Sequence, residues 1–133
     1  MKKMNLIMVF DKIKENILMC KRAKEPYKGL YNLPGGKIEK QNDGLNEAYR
    51  ELEEETAITK KDIELIHFMN FTYIINNFEL EVYYGILNKE VELIEEINKL
   101  EWININENFF DITKYAGEGN IGHILQKIKI NIL

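Results

Sequence analysis

Between Leu33 and Thr56 the chain reads LPGGKIEKQNDGLNEAYRELEEET, a paired-glycine turn leading into a stretch that can bury itself in only one way. At roughly 100° per residue, the helix predicted from Gly44 to Thr56 sorts its side chains onto two faces. Leu45, Ala48, Tyr49, Leu52 and Thr56 gather in an arc of about 100° and form the face to bury. Glu47, Glu51, Glu54 and Glu55 fall in a second arc of similar width, largely clear of the first, while Glu53 lies apart beyond the Tyr49 edge. Asp43 precedes the helix as its N-cap. Such a helix must lie on a sheet or on another helix, with its acidic stripe left free.

Acids three or four residues apart on a helix repel by a few tenths of a kcal/mol per pair. Either they point into water, which is the ordinary outcome, or something cationic sits between them. The Gly35-Gly36 turn just upstream can bring bare backbone close to the acidic side. Closely placed carboxylates and backbone carbonyls suit hard cations such as Mg²⁺ or Mn²⁺.

The remaining sequence limits what such a site can serve. A chain of 133 residues, 45% hydrophobic and 30% charged, fits one globular domain over 1–133. The net charge of −4 offers no global basic field for a nucleic acid polymer or an anionic membrane. An anionic ligand must therefore be captured locally, by a few cations or a metal. No apolar run approaches the ~18 residues of a membrane span, and the N-terminal run is too short for a signal peptide. The single cysteine, Cys20, rules out an intrachain disulfide, lacks metal-ligand spacing and reads as a small buried strand residue. A cytoplasmic location is expected.

MNLIMVF and NILMCKR are short apolar runs with strand character around a polar turn, and KEPYKGLYNLPGGKIE reads as loop with a short strand. IELIHFMNFTYII and FELEVYYGIL flank Asn76-Asn77, which resembles a hairpin turn. A further short strand is expected to end near Ile105, and Ile121, Ile124, Leu125 and Ile128 recur at helical spacing near the C-terminus. Strands mixed with two principal helices give an α/β or α+β domain. His67 and His123 share no motif, and Trp102 reads as a core anchor.

The segment from Gly36 to Ile58 closely resembles the Nudix box, G-x5-E-x7-R-E-U-x-E-E-x-G-U with U aliphatic. Gly36, Arg50, Glu51, Leu52, Glu54, Glu55 and Ile58 stand at matching places. Two positions depart: Asn42 replaces the first motif glutamate and Ala57 the late glycine. In the family that glutamate mostly supports the box, often by pairing with the arginine. Asn42 can hydrogen-bond but forms no charge-assisted pair, and Asp43 or Glu39 stand nearby as substitutes. Ala57 matters only where the backbone needs a positive φ.

The resemblance implies an α/β/α sandwich on a central mixed sheet. It also implies hydrolysis of nucleoside diphosphates linked to another moiety, X, with Mg²⁺ or Mn²⁺ as cofactor. Glu51, Glu54 and Glu55 would be metal ligands, joined by a backbone carbonyl of Gly35 or Gly36. Arg50 would orient Glu51 or Glu54. Bridging metals neutralise phosphate charge and activate water, and a nearby carboxylate accepts the water's proton. Glu96, with Glu95 as substitute, stands where several members bring a glutamate into the site.

KGLYNLPGGKIE resembles the corresponding stretch of the MutT-like 8-oxo-dGTP diphosphatases, in some of which an asparagine before the turn reads the purine edge. Asn32 stands there, and an amide offers both donor and acceptor. Arg22 is placed as a cation near the nucleotide or its phosphates. FFDITKYAGEGNIGHILQKIK resembles a segment with a base-stacking aromatic and edge-reading polar groups, which makes Tyr115, Glu118 and Asn120 candidates. The bland alternative packs Tyr115 on the sheet and lets residues 118–120 turn into the last helix. Tyr27 and Tyr31 are further aromatics near a base.

The expected activity is conversion of a nucleoside triphosphate, such as 8-oxo-dGTP, to monophosphate and pyrophosphate by a monomer or homodimer. The alternatives are a Nudix hydrolase of ADP-ribose or dinucleoside polyphosphates, and a weakly catalytic domain that senses a nucleotide. Asn42 is the ground for the last.

Overall fold

The computed structural model describes residues 1–40 and 42–132. Six strands and two helices follow the order β1 (Lys2–Phe10), β2 (Asn16–Lys21), β3 (Tyr31–Asn32), α1 (Gly44–Thr56), β4 (Ile66–Tyr73), β5 (Phe78–Ile86), β6 (Lys99–Asn104) and α2 (Asn120–Ile132). The sheet runs β3-β2-β1-β5-β4, with β6 on the other side of β2. It is mixed: β1 pairs in parallel with β5 over their full lengths, and the other pairings are antiparallel.

Strand periodicity of two decides which helix each side chain meets. From β1, Ile7 and Val9 face α1, whereas Met8 and Phe10 face α2. Leu18 and Tyr83 join the α1 side, and Ile17, Met19, Val82 and Tyr84 the α2 side. These three strands, β1, β2 and β5, are apolar on both faces because both faces are covered, which makes the domain an α/β/α sandwich. On α1, Ala48 and Leu52 are fully buried. Burying a leucine of this kind stabilises by about 1.5–3 kcal/mol, so these residues fix the depth at which the acidic stripe sits.

Several details depart from expectation. Leu45 is 44% exposed, although the helical wheel places it on the buried face. Glu47, by contrast, is only 4% exposed. The cause is the segment after the glycine turn, whose backbone N–H groups at Glu39 and Lys40 both donate to the Glu47 carboxylate and cover it. Asp43 occupies the N-cap position without making a side-chain cap hydrogen bond, and its carboxylate instead accepts from the Asn46 amide at 2.9 Å. The β4–β5 connection is a four-residue loop, 74–77, wider than an Asn76-Asn77 two-residue turn. Among the described residues, no helix is long and apolar enough to cross a membrane.

Candidate active site

The residues from Pro34 to Ile38 are fastened to β1 as an irregular extra strand. The Ile7 N–H donates to the Pro34 carbonyl at 2.8 Å, and the Ile38 N–H donates to the Lys3 carbonyl at 2.9 Å. Asn5 holds Gly36 at two points. Its backbone N–H donates to the Gly36 carbonyl at 2.8 Å, and its side-chain Oδ1 accepts from the Gly36 N–H at 2.9 Å. Gly35 tolerates no side chain here, and at Gly36 a side chain has to displace the Glu51 carboxylate. A Cβ on Gly35 would lie 2.1 Å from the Asn5 carbonyl oxygen, and one on Gly36 would meet the Glu51 carboxylate.

Arg50 organises the acidic stripe. Its Nε donates to Glu47 at 2.7 Å, its Nη1 to both oxygens of Glu54 at 3.0 and 3.1 Å, and its Nη2 to Glu51 at 3.2 Å. Glu55 points the other way, toward the Gly35 backbone, and accepts a hydrogen bond at 3.6 Å from the buried Cys20 thiol. Burial, then the charge of Glu51, pushes the Glu55 carboxyl up to about 7, and Glu96 adds to the repulsion. Burial likewise raises Glu51, against the opposing pull of Arg50. Glu51 and Glu55 thus form a partly desolvated pair with too little positive charge beside it.

A hard divalent cation fits that surplus. The donors are all oxygen, the repulsion between Glu51 and Glu55 is what a cation relieves, and the Gly35 carbonyl accepts no hydrogen bond among the described residues. The Gly36 carbonyl is already engaged by Asn5, which makes Gly35 the better backbone ligand of the two. Among the described residues no three acidic side chains converge on one point, because Arg50 draws Glu51 and Glu54 while Glu55 turns to Gly35 and Cys20.

Two cavities share Arg22, and the glycine turn lines the larger of them. One of about 170 Å³ is lined by Glu55, Glu96, Cys20, Arg22 and Lys24. The other, about 310 Å³, lies between the sheet and the start of α2, and its lining includes Gly35, Gly36, Asn32, Arg22, Glu118 and Asn120. Arg22 borders both, its Nε held by the Pro26 carbonyl at 2.6 Å.

The NUDIX domain model matches residues 3–123. The chain belongs to the NUDIX domain family. It is therefore a Nudix hydrolase, of the enzymes that act on acid anhydrides. No curated protein matches the sequence. Among solved structures, the chain is similar to an Ap4A hydrolase of C. elegans in a binary complex, with a TM-score of 0.78 and 18% identity over 99% of this chain and 98% of that one. It is similar to the NUDIX domain of Shewanella oneidensis NrtR complexed with ADP ribose, with a TM-score of 0.74 and 15% identity over 98% and 88%. A mutator MutT protein from Bacillus halodurans gives a TM-score of 0.70 and 24% identity over 96% and 82%. At these identities the likeness is one of fold.

Within the Nudix frame, the structure brings most of the expected residues together. Gly35, Gly36, Glu51 and Glu55 meet at the turn, with Arg50 and Glu54 on its outer side. Glu96 lines the smaller cavity with Glu55, whereas Glu95 accepts from the Leu100 N–H at 2.8 Å and is taken up in starting β6. In the larger cavity, Asn32 accepts its neighbour Leu33's N–H through Oδ1, Glu118 accepts from the Tyr27 hydroxyl, and Asn120 donates to the Tyr73 hydroxyl at 2.6 Å.

Tyr115 is the exception. At 1% exposure it is packed between Phe109 and Tyr31 in the α2-side core and does not line the cavity, so it has no face to offer a base. The cavity's aromatic wall comes instead from Tyr73 and Phe78, stacked 4.6 Å apart at 13°. They are cross-strand partners on either side of the β4–β5 loop. A two-residue turn at Asn76-Asn77 opposes Ile75 to Phe78, and it is the four-residue loop that sets Tyr73 against Phe78.

Proposed function

We propose that this Nudix hydrolase cleaves a purine nucleoside triphosphate, with an oxidised form such as 8-oxo-dGTP as the preferred base, to monophosphate and pyrophosphate with Mg²⁺. The observation that carries this reading is the position of Arg22, shared by a cavity with aromatic and amide walls and by a smaller, charged one where Glu55 and Glu96 stand beside Lys24. A base and a phosphate chain joined by a sugar need those two environments in that order, with a cation at the junction.

Asn32 and Asn120 supply amide groups for a purine edge, and Tyr73 with Phe78 supplies a flat apolar wall. Arg22 draws the phosphates toward the glycine turn. Glu51, Glu54, Glu55 and the Gly35 carbonyl would hold Mg²⁺, with Mn²⁺ as a substitute. When bound, the metal neutralises phosphate charge and lowers the pKa of a bound water. Glu96, in the same cavity as Glu55, takes the proton from the attacking water.

The test is product analysis with Mg²⁺ across canonical and oxidised nucleoside triphosphates, ADP-ribose and Ap4A. Pyrophosphate and a monophosphate should appear from a purine triphosphate, fastest from the oxidised one. Turnover of ADP-ribose or Ap4A alone would assign the same metal site to a different substrate.

A further inference from the structure

Position 42, where the Nudix pattern has a glutamate, is Asn42 here, an exposed residue in the turn before α1. A carboxylate nevertheless reaches Arg50. Glu47, buried on the first turn of α1, accepts from the Arg50 Nε at 2.7 Å through one oxygen. Its other oxygen accepts from the Glu39 and Lys40 N–H groups at 2.7 and 2.8 Å. The two remaining nitrogens of the same guanidinium reach Glu51 and Glu54.

We infer that Glu47 is the positioning residue of this metal site, supplying from within the helix the carboxylate that position 42 lacks. The guanidinium is a rigid planar fork, so fixing Nε sets the directions of both Nη groups. Anchored in this way, Arg50 shares itself between Glu51 and Glu54. Released, it is free to close in bidentate fashion on one of them and compete with the cation for that carboxylate. Glu47 also ties the strand-like segment after Gly36 to α1, which couples the turn and the helix that together make the site. Asn42 then ceases to be a ground for a weakened enzyme.

This inference rests on the metal-dependent reading above, and its test uses metal binding separately from turnover. Mn²⁺ dissociation constants, melting temperatures and steady-state kinetics are measured for wild type, Glu47→Gln, Asn42→Glu and the double variant. In Glu47→Gln the Mn²⁺ dissociation constant should rise about tenfold, and kcat should fall with little change in KM. Asn42→Glu added to that variant should recover most of both. Asn42→Glu alone should change neither, because Arg50 already has its anchor.

A Glu47→Gln protein that melts lower yet binds Mn²⁺ as wild type does would reduce Glu47 to a structural group and overturn the inference. A several-fold gain from Asn42→Glu alone would overturn it too, and that variant leaves the buried carboxylate untouched, so the test survives a Glu47→Gln protein that fails to fold. Wild type that binds no Mn²⁺ would remove the metal reading itself, an outcome distinguishable from either.

Discussion

A Cβ built on Gly36 would lie 2.9 Å from the carboxyl carbon of Glu51. The bare backbone of the turn is what admits the helix's acid, and the two residues share one small volume. Gly36 does not have the left-handed backbone that would itself demand glycine. Gly36→Ala should therefore fold and still lose activity by at least about tenfold, because a displacement near 1 Å at a reacting centre is enough to do so. Circular dichroism melts alongside turnover with saturating Mg²⁺ check this, and an alanine variant at full rate would show that Glu51 can move at no cost.

Hydrogen bonds from Arg50, then from the Lys40 and Glu39 backbones, hold the Glu47 carboxyl at about 2, below its ordinary 4.5. The unfolded chain takes up that proton first as pH falls. The stabilisation is present above pH 4.5 and is lost as the pH falls from there toward 2, amounting to on the order of 3 kcal/mol. Glu55 is shifted the opposite way, so the quantity to follow is the difference between wild type and Glu47→Gln in urea unfolding. That gap should be wide at about pH 6 and should narrow at about pH 3.

Ala57 ends α1 with φ 68° and ψ 8°, its N–H donating to the Glu53 carbonyl at 2.9 Å. The Nudix glycine at this position is thus a conformational requirement that the chain meets with alanine, at a cost of about 1–2 kcal/mol. Ala57→Gly should stabilise the protein by about 0.5–1 kcal/mol after the added freedom of the unfolded chain is subtracted. A thermal melt reads this as a rise of about 2–4 °C.

Asn32 and Tyr115 separate the cavity from the core. Asn32→Ala removes an amide that lines the cavity, and KM for the preferred nucleotide should rise about tenfold. Tyr115→Phe changes a side chain packed among aromatics away from it, and KM should not move. Steady-state kinetics on both variants decide whether the base enters where the cavity places it.

Much of this was legible in the residues. The bounds of α1 and the apolar strands follow from periodicity, and the seven box positions from the resemblance to the Nudix pattern. What escaped were contacts made by chain folding back from a distance in sequence. Glu47 was set on the acidic stripe in a supporting role outside the ligand set, but a helical wheel does not show that residues 39–40 cover it. Leu45 was assigned to the core on the same wheel, yet it lies in the first turn of the helix and is left 44% exposed. Tyr115 carried a local resemblance to a stacking residue, but the sheet edge and the α2-side core enclose it.

Glu53 and Glu54 are adjacent in RELEEE and differ in what they touch: Glu54 is bonded to Arg50, whereas Glu53 contributes its backbone carbonyl to the end of the helix. Mg²⁺-dependent pyrophosphate release by Glu53→Gln and Glu54→Gln, measured side by side with wild type, tests the metal-site assignment most directly. Glu54→Gln should lose at least about a hundredfold in kcat, and Glu53→Gln should match wild type. Equal rates in both variants, whether both are retained or both are lost, would contradict the assignment of these carboxylates to the metal.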